Sequence, residues 1–90
     1  MSIDNEKMFS EYVLSVEGFS GRRSGISREK FLKISSELND PEYIKRFSSR
    51  EEARRALKQR ASGSLGIIGF FILKTVVYWI IDKILDHYFR

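Results

Sequence analysis

Through the first sixty positions, apolar residues come in short bursts at intervals of three and four, each closed by turn-forming residues. Phe9, Val13 and Val16, with Met8 and Tyr12 beside them, mark one face of a helix over residues 4–17. Acidic residues at its start suit the positive end of the helix dipole. The stretch 18–25, with glycines around Arg22 and Arg23, reads as a flexible loop. Ser27 suits the N-cap of a second helix over 28–38, with Phe31, Leu32, Ile34 and Leu38 on its apolar side. Asp40 and Pro41 then stop that helix and start another, because aspartate caps and proline fits the first helical position. Ser49, followed three residues later by Glu52, has capping-box spacing for a fourth helix. Ala53, Ala56 and Leu57 give that helix a narrow apolar stripe. No run alternates with period two, so no sheet is expected.

The last third differs in kind. From 65 to 73 every residue is apolar or glycine; Lys74 and Thr75 interrupt, and 76–81 resume. Beyond Lys74 the pattern turns amphipathic. Asp82, Asp86 and Arg90 share one face, while Val77, Ile80, Ile81, Ile84 and Tyr88 occupy the other. No proline follows Pro41, so the spacing predicts one continuous helix. The expected fold is all-α: an N-terminal bundle of three or four short helices (1–61), then one long apolar C-terminal helix (62–90).

Ninety residues make one domain, or a small domain plus an anchor, with a thin core. With no cysteine and one histidine, neither a disulfide nor a metal staple is available, and no cofactor is expected. The net charge is +4, but its distribution says more. Residues 1–20 are acidic, 41–63 are basic, and charges are sparse thereafter. The mean hydropathy of −0.30 thus averages a polar head with an apolar tail.

Two architectures stand at the extremes for that tail, and a third lies between them, a helix resting in the membrane interface or spanning one leaflet. In the first it is a tail anchor. Residues 65–81 span about 25 Å as a helix, against a hydrocarbon core of about 30 Å. The inserted set is Leu65, Ile67, Ile68, Phe70, Phe71, Ile72, Leu73, Val76, Val77, Trp79, Ile80 and Ile81. Its Leu, Ile, Phe and Val residues contribute roughly −3 to −7 kcal/mol, and a central Lys74 costs roughly +3, so insertion wins narrowly. Five basic residues before the apolar run would hold the head on the cytoplasmic or inner side of the membrane. In the second architecture the tail is the buried central helix of a bundle, with Lys74 emerging at its edge.

Several features could carry function. Ser62, Gly66 and Gly69 fall on one helical face, where small residues admit another helix closely, in a homo-oligomer or a larger membrane complex. Lys74 is a candidate intramembrane charge. Arg50, Arg54, Arg55, Lys58 and Arg60 could meet the anionic lipid of a bilayer, or the phosphates of nucleic acid. No aromatic residue is interleaved among them, which weakens a base-stacking role. The 21–25 loop lacks P-loop spacing, and Asp82, Asp86 and His87 form a weak metal pattern. No nucleophile–base pair or apolar carboxylate pair is evident, so the chain reads as a non-enzyme. The leading expectation is a membrane-anchored structural or regulatory protein. Its rival is a helical interaction module with a buried C-terminal helix, nucleic-acid contact through the basic face included.

Overall fold

The computed structural model describes residues 4–14 and 26–89, and every element among them is a helix. The elements are α1 (Asn5–Tyr12), α2 (Arg28–Leu38), α3 (Pro41–Ile44), α4 (Arg50–Ile72) and α5 (Lys74–Tyr88). The 18–25 loop expected between α1 and α2 lies outside the described residues.

Local chemistry explains the helix starts. Asp4 accepts from the Glu6 amide, Ser27 from Lys30 and Asp40 from Tyr43, with Pro41 in the first turn of α3. Ser49 caps α4 by accepting from the Glu52 amide at 3.2 Å. The reciprocal half of that capping box is diverted, because the Glu52 carboxylate accepts instead from the Ser48 hydroxyl. Each such cap stabilises its helix by about 1 kcal/mol.

The continuous C-terminal helix is not formed. α4 is broken at Gly66, whose φ of 79° and ψ of 165° lie in a region open essentially to glycine alone. A second break falls at Leu73, between α4 and α5. Together they turn the chain back on itself. Arg50 meets Asp86, Arg54 meets Asp82, and Lys58 sits over the Tyr78 ring, so each four-residue step along α4 is four back along α5. This is an antiparallel helical hairpin, and residues 61–75 form its tip.

α5 supplies the centre of the core. Val77, Ile80, Ile81, Ile84 and Leu85 are fully buried, against Ala53, Leu57 and Ala61 of α4 and Phe31, Ile34 and Leu38 of α2. Complete burial of an aliphatic side chain contributes roughly 1.5–3 kcal/mol, so this one face outweighs any single ion pair described below. Trp79 joins Phe9, Tyr12 and Phe31 in an aromatic cluster that fixes α1 and α2 against α5. Asn39 closes the far end, donating to Asn5 and accepting from the Tyr88 hydroxyl. Residues assigned to head and tail by sequence therefore share one core. The radius of gyration, 12.7 Å, is close to the ~12 Å of a compact 90-residue domain.

These facts correct the membrane expectation. No helix among the described residues is long and apolar enough to cross a bilayer. The 65–81 span is divided between two arms of a hairpin. Val76, Val77, Ile80 and Ile81 are inside the protein, and Trp79 packs in the aromatic cluster. The expected tail-anchor helix, which was to hold the head on the inner side of a membrane, is therefore not formed by the described residues. The physical reason is the glycine break, which lets the amphipathic α5 cover the bundle's own apolar faces.

Candidate functional site: the hairpin tip and the basic edge

After Gly66, residues 67–72 make a short helical stretch that is apolar on every side. Its inward residues, with Leu65 and Leu73 flanking, pack onto the core; the Phe70 ring lies 6.1 Å from that of Tyr78. Its outward residues stand largely exposed. Ile67 is 84 % exposed, Ile68 76 %, Phe71 77 % and Ile72 72 %. Positions 67, 68, 71 and 72 are neighbours on one helical face, so these side chains form a single apolar knuckle. The Ser64 hydroxyl hydrogen-bonds Glu37, tying the base of the knuckle to α2.

The predicted small-residue face is interrupted. Ser62 precedes the Gly66 break and Gly69 follows it, so the three do not share a regular helical register. A side chain at Gly63 or Gly66 would find open space, whereas one at Gly69 would touch Leu65 at 3.5 Å. Lys74, the candidate intramembrane charge, is exposed at the start of α5 with its Nζ 5.5 Å from the Tyr78 ring.

The basic residues lie mainly along the edge where α4 meets its neighbours. Arg50 pairs with Asp86 at 2.7 Å and Arg54 with Asp82 at 3.2 Å. The second pair is Coulombic rather than hydrogen-bonded, because Asp82 Oδ1 has no aligned donor. Arg60 reaches Asp40 at 3.4 Å and lies over the Tyr43 ring, while Lys58 lies 4.6 Å from the Tyr78 centroid. Arg55 is exposed and lines two shallow grooves, one with Phe47 and Ala56, the other with Glu51 and Lys58. Three of the five cations thus already face carboxylates. These pairs are partly exposed, so each contributes under about 1 kcal/mol; their effect is on the register of the hairpin.

The same pairs account for Asp82 and Asp86, which the sequence offers as weak metal ligands. No group of three or more metal-ligating side chains occurs among the described residues. His87 stacks edge-on against Tyr88 at 4.9 Å.

Sequence reasoning misses the hairpin, though the chain carries two signals of it. Gly63, Gly66 and Gly69 recur within seven residues of a supposed helix, where each costs about 1 kcal/mol relative to alanine. Two arginines four apart before the apolar run also mirror two aspartates four apart after it. Read together, they describe an antiparallel pair of helices.

Comparison with protein-family models, with curated proteins and with solved structures finds no match.

Proposed function

We propose that this chain is a small all-helical interaction module. Its apolar C-terminal helix serves as its core, and its contact surface is the knuckle at residues 67–72. One observation carries the reading: four large apolar side chains stand 72–84 % exposed on one face of a helical segment. Contiguous apolar surface of this kind, on the order of 500 Å², marks interaction sites in folded proteins. The role is contact rather than catalysis. The basic edge supports a nucleic-acid role less well, since phosphates would have to displace the carboxylates already facing Arg50, Arg54 and Arg60.

Site-specific photocrosslinking tests this. A benzophenone side chain is placed at Ile68, and separately at exposed Glu51 near the other end of the hairpin, in the cells that carry the protein. Protein adducts at position 68 and not at 51 are expected. Adducts to lipid alone, or none, would remove the knuckle as a protein-contact surface.

A further inference from the structure

The knuckle is uncharged. From Ala61 to Leu73 there is no ionisable side chain, and the charges that bound this run, Arg60 and Lys74, stand at its two ends. Arg60 is already held by Asp40. Lys74 is exposed, and its flexible stem can keep its ammonium in water while apolar surface beside it is covered. A helix that is apolar all round is stable when both sides are covered; here the described residues cover one side only.

Resting on the reading above, that the knuckle is a protein-contact surface, we infer that its occupant is a second copy of this chain, knuckle against knuckle about a two-fold axis. Chemistry favours this over a charged partner. A face selected for an acidic or basic partner carries the opposite charge at its centre, and this one carries none. Contacts between identical subunits are more apolar and poorer in charge than other interfaces. The same lack of charge lets two copies of a +4 chain meet without like charges in the contact.

Area and backbone shape agree. Four side chains at about three-quarters exposure offer on the order of 500 Å² per copy, or about 1,000 Å² in a pair, the lower edge for a specific interface. The dimer is therefore weak and concentration-dependent. A Cβ added at Gly63 or Gly66, at the base of the knuckle, would have no neighbour within 4 Å, which leaves room for close approach there.

The chain has no cysteine, so one introduced thiol reports one contact. Purified full-length Ile68→Cys, oxidised at about 100 µM, is expected to give mainly disulfide-linked dimer, whereas Glu51→Cys stays largely monomeric. By analytical ultracentrifugation, the unmodified protein should rise from monomer toward twice its mass between roughly 1 and 500 µM. Ile68→Glu and Phe71→Lys should each move that midpoint at least about tenfold higher, with unchanged circular dichroism, because neither side chain is in the core.

Three results overturn the inference. A chain that is monomeric throughout, yet gives protein adducts from position 68 in cells, has a different protein partner; the interaction reading then survives. A monomeric chain without such adducts loses both readings. A dimer indifferent to Ile68→Glu and Phe71→Lys uses another surface.

Discussion

Residues 67–72 and residues 76–85 both carry several isoleucine, valine or phenylalanine side chains, yet these meet opposite fates. In the second segment Val77, Ile80, Ile81, Ile84 and Leu85 are entirely buried. In the first, Ile67, Ile68, Phe71 and Ile72 face outward. The difference lies in what is interleaved. α5 carries Asp82, Lys83 and Asp86 on one side, and these fix its orientation: the aspartates meet Arg50 and Arg54, and Lys83 meets Glu11. The knuckle has no polar side to turn toward water. Hydropathy alone marks both segments as apolar, while polar patterning separates a core element from an exposed one.

That contrast can be broken most strongly in the core. Ile80→Ala should cost about 2–4 kcal/mol in urea unfolding, through lost transfer energy and a residual cavity. Ile67→Ala should change stability by less than about 0.5 kcal/mol, as exposed positions do. Equal losses at both sites would mean that the knuckle is buried in the isolated protein.

The next effect tests the break between the two segments. Gly66→Ala should cost about 1–3 kcal/mol, because alanine at the observed φ and ψ is strained. Gly63→Ala, in helical backbone with open space for the methyl group, should instead stabilise by about 0.5–1 kcal/mol. A stabilised Gly66→Ala variant would show that α4 prefers to run straight through, and the hairpin would then be the wrong geometry for residues 65–81.

The smallest effect concerns the edge that orients α5. Arg54→Ala should lower stability by under about 1 kcal/mol, and the difference from the parent protein should shrink in 1 M salt. A salt-independent loss of several kcal/mol would identify packing by the arginine stem, not charge, as its main contribution.

Much of the fold is legible in the order of residues alone. The caps at Ser27, Asp40 and Ser49, the proline at the start of α3, the absence of strands among the described residues, and the buried face of α5 all follow from short-range patterns. Those patterns act within one or two turns of a helix, so the residues nearby are sufficient to specify them. The candidate site is legible only in its composition. Residues 67, 68, 71 and 72 stand out as apolar, but nothing local says which apolar residues a folded chain will leave outside.

The path of the chain at Gly66 was decided by tertiary structure. Glycine occupies helical and positive-φ backbone at similar cost, so its neighbours in sequence leave the direction open. Packing resolves it. Folding back buries the α5 face against α2 and α4 and brings Asp82 and Asp86 to Arg54 and Arg50, a gain that a straight helix in water would forgo. The sequence by itself determined the all-helical class, the capped starts at Ser27, Asp40 and Ser49, and the amphipathic design of α5. The hairpin, and with it the division of one apolar run into a core and an exposed knuckle, arose from contacts between residues about 30 apart, whose energy no local pattern contains.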